Sequence, residues 1–286
     1  MESADESWWG DAARAGRRPP VTGGLRAAWP WLGLLLFAQG LAFAGGFLWS
    51  AQKWDVAGPV AHVSIGALPE PSGLVLLPDG EAFICVSDER WIARIDLDGK
   101  VLEQLEVKDS DLEAVCLDRA GEAVLVINER TLQIMRFAWN PLRFLDAVDL
   151  SARFRTHDPN RGPEGLDLLR LGGVVLAIES SPASLLLLHD DGHLMEFFLD
   201  CPSVSEVLHL RDSDHYLVIS REQGLRVVNG AGRTRQGWMR LPGNSLEGLA
   251  LVSGRGLYVP NDREPGEFLV FSRYPDERAL LRDLWN

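Results

Sequence analysis

Cysteine is scarce in this sequence, and the few cysteines argue against two kinds of structure. Three cysteines occur in 286 residues, and neither their odd number nor their spacing fits a disulfide framework or a zinc site. Cys85 and Cys116 lie inside apolar segments, which indicates buried, unreactive thiols. The sequence also lacks the G-x-S-x-G, Walker A, H-E-x-x-H and C-x-x-C motifs, so no common catalytic signature identifies a reaction.

Positive charge is also in short supply. The chain has 28 lysine and arginine residues against 41 aspartate and glutamate residues, for a formal net charge of −13. The charges of residues 1–50 cancel, so the whole excess lies in residues 51–286. A domain of this charge repels phosphate backbones, and we therefore predict no nucleic-acid partner.

No charged residue occurs between Arg26 and Lys53. The apolar segment from Trp29 to Trp49 would span about 31 Å as a helix, close to the thickness of a bilayer core. We predict a disordered cytoplasmic tail over residues 1–26, a transmembrane helix over 27–50 and a linker over 51–59. Because arginines precede the helix, the positive-inside rule places the following residues outside the cytoplasm. A cleaved signal peptide is the alternative.

Residues beyond 58 contain a repeat that predicts an all-β fold. Short apolar runs alternate with Gly and Asp turns, and five segments align on one anchor position. The anchors lie 41, 51, 41 and 42 residues apart, at Ser72, Glu113, Glu164, Ser205 and Glu247. Fifteen residues after each anchor another small or polar residue follows: Ser87, Asn128, Glu179, Ser220 and Asp262.

Each repeat reads as four antiparallel strands, the pattern of a propeller blade. We predict a five-bladed β-propeller over residues 60–274, with six blades as the alternative. The fifth repeat has three evident strands, and we expect residues 60–68 to supply its fourth strand and close the ring. Residues 275–286 have the pattern of a short amphipathic helix.

The anchor positions and the positions fifteen residues later should meet at one mouth of the central channel. The first strand of a blade begins at that mouth, and the antiparallel second strand returns to it. The candidate metal ligands there are Glu113, Glu164, Glu179, Glu247, Asp262 and Asn128. Crowded carboxylates favour a hard cation such as calcium. The alternative is a set of solvated polar residues at strand ends, and Arg221 is expected at the rim.

The segment PEPSGLVLLPDGEAFICVSDERWIARIDLDGKVL (69–102), followed by DLEAV (111–115), GPEGLD (162–167) and SLEGLA (245–250), resembles the SdiA-regulated family of membrane-anchored β-propellers. That family is linked to calcium-responsive, phytase-like propellers of bacteria. The resemblance implies a Gram-negative inner-membrane protein that faces the periplasm, with calcium binding or signalling as its role. It also implies that Glu113, Glu164 and Glu247 lie at the mouth of the channel. Blade four departs from the pattern, because Ser205–Glu206 replaces Glu–Gly.

Three functions remain open from the sequence. The first is a non-enzymatic periplasmic sensor or scaffold that binds calcium. The second is a metal-dependent hydrolase of phosphoesters or lactones that uses the same carboxylates. The third is an interaction platform without metal, for which the partner would be another periplasmic or membrane protein. No histidine occupies a channel position and no separate base is evident, which favours the first over the second.

Overall fold

Each of the five sequence repeats forms one antiparallel sheet in the computed structural model of the protein. The structure describes residues 54–55, 60–66, 68–153, 162–180, 182–243, 245–262 and 265–285. The predicted tail (1–26), transmembrane helix (27–50) and most of the linker (51–59) lie outside these residues. Within the described residues, no helix has the length and apolar character needed to cross a bilayer.

The strands follow one another in the order that the repeat predicts. Two strands precede the first repeat, β1 (Trp54–Asp55) and β2 (Val60–Ser64). Blade 1 contains β3 (Pro71–Leu76), β4 (Ala82–Ser87), β5 (Trp91–Asp96) and β6 (Val101–Glu106), and blade 2 contains β7 (Leu112–Leu117), β8 (Ala123–Asn128), β9 (Gln133–Trp139) and β10 (Leu142–Asp149). Blade 3 contains β11 (Pro163–Leu168), β12 (Val174–Ile178), β13 (Ser184–Leu188) and β14 (Leu194–Phe198).

Blades 4 and 5 each recruit a strand from the beginning of the described chain. Blade 4 contains β15 (Glu206–Leu210), β16 (His215–Ser220), β17 (Gly224–Asn229) and β18 (Met239–Arg240), and β1 pairs in parallel with β18. Blade 5 contains β19 (Ala250–Val252), β20 (Gly256–Asn261) and β21 (Glu267–Phe271), and β2 pairs antiparallel with β21 from Val60↔Phe271 to Ser64↔Glu267. The five-bladed fold and its closure by residues 60–64 are thus confirmed, whereas the pairing of β1 was not predicted.

The apolar core is divided among the interfaces between blades. The described residues form five buried apolar clusters, and each joins two neighbouring blades. Between blades 5 and 1, the ring of Phe83 lies 5.0 Å from that of Tyr258 and 5.6 Å from that of Phe268. Cys85 and Cys116 are buried in two of these clusters, and burial raises the pKa of both thiols, as expected for unreactive cysteines. Because every core needs two blades, closure of the ring completes the last one.

A C-terminal helix, α1 (Glu277–Leu284), packs against blades 4 and 5. Asp276 caps its first turn by accepting a hydrogen bond from the Ala279 N–H at 2.8 Å. Its buried face consists of Ala279, Leu280 and Leu284. The predicted helix is therefore confirmed, and its amphipathic pattern reflects one face docked on the propeller.

Candidate functional site

The length of the first hairpin in each blade decides which residue reaches the channel mouth. In blades 1, 2 and 4 the turns have four residues (78–81, 119–122 and 211–214), whereas in blades 3 and 5 they have three (170–172 and 253–255). The second strand therefore ends fifteen residues after the anchor in blades 1, 2 and 4, and fourteen residues after it in blades 3 and 5. The first residues after these strands are Asp88, Glu129, Glu179, Arg221 and Asp262.

This difference corrects the sequence expectation by one residue in three blades. Strand residues alternate between two sides, so the side chain at offset fifteen lies on the other side of the strand in blades 1, 2 and 4. The Asn128 amide oxygen accepts from the Asp111 N–H at 3.4 Å, and its nitrogen contacts Met135 Sδ at 3.7 Å, both within blade 2. Asn128 is thus engaged locally, and the next residue, Glu129, joins Glu113 and Asp111 in a carboxylate group instead.

The anchor residues of blades 1 to 3 lie near the start of the first strand, where its pairing with the second strand is irregular. The pairing register shifts at Ser72 in blade 1, next to Glu113 in blade 2 and at Glu164 in blade 3, which marks β-bulges. The hydroxyl of Ser72 donates to the Leu112 carbonyl at 2.6 Å, next to Glu113 in the following blade. This bond joins the first strand of blade 1 to that of blade 2.

Arg221 lies at the centre of the predicted ligand set. Its Nη2 atom is 2.6 Å from Glu247 Oε1 and 3.3 Å from Glu164 Oε2, and its Nη1 atom is 3.6 Å from Glu179 Oε1. Three of the predicted metal ligands therefore surround a guanidinium group. The expectation that Arg221 lies at the rim is wrong, because the four-residue turn of blade 4 brings it to the mouth-facing position.

Two groups of closely spaced carboxylates adjoin the residues around Arg221. One oxygen each of Asp88, Glu113 and Glu247 lie within 4.8 Å of one another, and the same holds for Asp111, Glu113 and Glu129. Oxygens that bind one calcium ion at about 2.3–2.6 Å lie at most about 5 Å apart. Both groups therefore have the spacing of a cation site, and they share Glu113.

In the group of Asp88, Glu113 and Glu247, two oxygen atoms have no hydrogen-bond partner among the described residues. Both Oδ1 of Asp88 and Oε2 of Glu247 are buried and unpaired. A buried, unpaired carboxylate oxygen costs free energy, and an ion or a proton at this position would offset the cost. Glu247 thus has one oxygen on Arg221 and the other free for a cation.

The ionisation of the mouth residues reflects their crowding. Burial raises the pKa of Glu113 and Glu164 well above the usual range, and repulsion by neighbouring carboxylates adds to the effect. Burial also raises the pKa of Glu247 to about 8 and that of Asp88 to about 7, although Arg221 opposes both shifts. Burial also raises the pKa of Asp262, whose charge repels those of Asp88 and Glu247. The charge of Arg221 therefore does not balance the carboxylates that surround it.

No protein-family model matches the sequence, and no curated protein does. Solved structures do share its fold. A glutaminyl cyclase of Myxococcus xanthus superposes with a TM-score of 0.58 at 14% identity, over 77% of this chain and 98% of that one. A gluconolactonase-like protein superposes with a TM-score of 0.52 at 15% identity, over 76% of this chain and 84% of that one. The chain adopts the β-propeller fold of these proteins, with five blades.

Proposed function

We propose that this chain is a membrane-anchored periplasmic β-propeller of the SdiA-regulated type, which binds calcium at the channel mouth and acts as a sensor or scaffold. The ligands are Asp88, Glu113 and Glu247, with Glu129 and Asp111 forming the adjoining group. Membrane anchoring and family membership are supported by the apolar segment 27–50 and by the order of the SGL and EGL motifs along the sequence.

The observation that carries calcium binding is the pair of unpaired oxygens on Asp88 and Glu247, beside Glu113. Arg221 is engaged by Glu164, Glu179 and Glu247, so it leaves Asp88 and Glu113 without an ion-pair partner among the described residues. A hard divalent cation satisfies carboxylate oxygens of this kind, and water completes its six to eight ligands. Glu247 would then join the guanidinium to the cation through its two oxygens.

The first test is the melting temperature of residues 54–286 in millimolar calcium and in chelator. A ligand that binds only the folded chain stabilises it by about 2.7 kcal/mol at a concentration 100-fold above its Kd. We expect calcium to raise the melting temperature. No shift would contradict the proposal.

Three variants locate the ion. Glu113→Gln changes both carboxylate groups and is expected to abolish the calcium shift. Glu247→Gln changes only the group with Asp88, whereas Glu129→Gln changes only the group with Asp111, so their comparison identifies the group that binds. The exposed Glu81 supplies the matched control Glu81→Gln, which should retain the full shift. A calcium shift that survives in all three variants would move the site elsewhere.

A metal-dependent hydrolase is the second candidate. Three carboxylates from the protein leave positions on the ion for water, and a metal-bound water is a nucleophile for phosphoesters and lactones. Two of the proteins that share the fold are a glutaminyl cyclase and a gluconolactonase-like protein, so this fold is compatible with an enzyme. A screen of phosphoesters and lactones with calcium, repeated with Glu113→Gln, tests this function. Turnover that the variant loses would support it, and no turnover would favour the sensor or scaffold.

Membrane attachment has its own test. The full-length chain, expressed in a Gram-negative host, is expected in the inner-membrane fraction, and protease added to the periplasm should digest its propeller. A chain that begins at residue 54 serves as the control and should leave the membrane fraction. Recovery of the full-length chain in a soluble fraction would contradict this part of the proposal.

A further inference from the structure

Two buried carboxylates line the central channel beyond the mouth. The first strand of each blade has a hydrogen-bonding partner on one side only, so alternate backbone groups on its other edge face the channel. Glu206 Oε1 accepts from the N–H groups of Leu166 at 3.2 Å and Val207 at 2.7 Å. Asp167 accepts from the N–H groups of Leu168 and His209, each at 2.7 Å. These carboxylates satisfy strand-edge donors of blades 3 and 4.

Glu206, where blade 4 departs from the Glu–Gly pattern, packs against the glycine of the neighbouring blade. A Cβ atom added to Gly165, the glycine of that pattern in blade 3, would lie 2.8 Å from Glu206 Oε1. The missing side chain of Gly165 therefore leaves room for the carboxylate of the neighbouring blade. Glu206 is 2% exposed and lies against the channel rather than at the mouth.

The carboxyl group of Glu206 offers more than its structural role requires. An amide oxygen would accept the same two N–H bonds, yet a carboxylate brings a second oxygen, and Oε2 accepts no hydrogen bond from the described residues. Asp167 differs, because Arg211 Nη2 lies 3.5 Å from its Oδ1. Glu206 has no ion pair within the described chain. Burial raises its pKa well above the usual range, in keeping with this lack of a cation.

A cavity of about 280 Å³ adjoins Glu206. Its walls are mostly aliphatic, with Leu166 and Leu251 among them, and Arg211 and Glu277 also line it. Glu277 is already engaged, because its carboxylate accepts from the N–H groups of Asp212 and Ser213. The volume is near the lower end of ligand-binding cavities, which suits a small molecule.

We infer that this channel cavity binds a small primary ammonium compound, with its ammonium group on Glu206 Oε2 and a short aliphatic body against the leucine walls. The ammonium supplies the donors and the positive charge that Oε2 lacks. The aliphatic body removes apolar surface from water. Calcium at the mouth is not required, because the site uses none of Asp88, Glu113 or Glu247.

Isothermal titration calorimetry on the full-length chain tests the inference with three probes of equal length: n-butylammonium, n-butanol and butyrate. We expect n-butylammonium to bind at least tenfold more tightly than the other two. Glu206→Gln keeps an oxygen that accepts the two N–H bonds but cannot carry a negative charge. It should lower the affinity for n-butylammonium at least tenfold. Glu81→Gln, which changes an exposed carboxylate, should leave the affinity unchanged. Equal affinity for the three probes, or unchanged binding by a folded Glu206→Gln variant, would overturn the inference.

Two further measurements keep the inference testable if Glu206→Gln does not fold. Leu251→Phe in blade 5 narrows the cavity and should also lower the affinity for n-butylammonium at least tenfold. Retained affinity in this variant would show that the probe binds elsewhere. Titration in saturating calcium and in chelator should give the same affinity. Displacement of the probe by calcium would place it at the mouth and overturn the inference, while failure of calcium to bind would leave the cavity site unaffected.

Discussion

The guanidinium of Arg221 lies 2.6 Å from the Glu247 carboxylate, in the middle of the residues that the sequence assigned to a metal. Arg221 keeps one half of the mouth ion-paired, with Glu164, Glu179 and Glu247. The other half has the unpaired oxygens, Asp88 Oδ1 and Glu247 Oε2, beside Glu113. A ring of carboxylates around one channel is thus divided between an internal cation and a candidate ion site.

Arg221→Met is expected to destabilise the metal-free chain by about 3 kcal/mol at pH 8, because it leaves buried carboxylates without their cation. Arg130→Met is the matched control, since Arg130 is 60% exposed and pairs with Asp111 at 3.3 Å. That pair should contribute less than about 1 kcal/mol. Urea unfolding of both variants gives the comparison. Equal stabilities for the two variants would contradict a central role for Arg221.

The stability of the metal-free chain is expected to fall as the pH rises from about 4.5 to 8. Burial raises the pKa of Glu129 to about 7, so the folded state holds its proton where the unfolded state has released it. Its contribution to the free energy of unfolding is present below the unfolded pKa and is lost as the pH passes about 7. Asp88 and Glu247 act in the same direction.

Unfolding curves at pH 5 and pH 8 measure this dependence. Glu129→Gln cannot ionise and should reduce the difference between the two pH values, while the exposed substitution Glu81→Gln should not. Greater stability of the wild-type chain at pH 8 than at pH 5 would refute the expected sign.

Gly248 is expected to tolerate no side chain, because blade 5 approaches blade 1 there. Its φ is +69°, and an added Cβ would lie 2.8 Å from the Ser72 carbonyl oxygen and 3.1 Å from the Leu74 nitrogen. Gly80 has a similar φ of +72° with nothing within 4 Å. Gly80→Ala should therefore lower the free energy of unfolding by about 1–2 kcal/mol, because alanine disfavours the left-handed conformation. Gly248→Ala should cost about 2 kcal/mol more, measured by urea unfolding.

Removal of β2 is expected to cause aggregation. Without residues 60–64 the edge of β21 is open, and Glu267–Phe271 are buried along their whole length. A chain that begins at residue 66 should elute as aggregates in size-exclusion chromatography with light scattering. A chain that begins at residue 58 lacks only the two-residue strand β1 and should remain monomeric. A monomeric chain from residue 66 would refute the role of β2 in closing the ring.

The fold could be predicted because its determinants are local and repeated. The anchor spacing and the alternation of apolar runs with turns define four strands per unit, and a unit short of one strand requires a strand from elsewhere in the chain. The 51-residue spacing between Glu113 and Glu164 exceeds the others by about ten residues around 151–162, and η1 (Ser151–Arg153) begins there without adding a strand to the described sheets.

The sequence by itself determined a five-bladed ring with Glu113, Glu164, Glu179 and Glu247 at one mouth. Only the tertiary structure decided what those residues face. A turn of three or four residues, too similar to distinguish by spacing alone, reverses the side on which the next strand presents its last side chain. That reversal moves Asn128 out of the cluster, and whether Arg221 balances the carboxylates depends on which blades become neighbours when the ring closes.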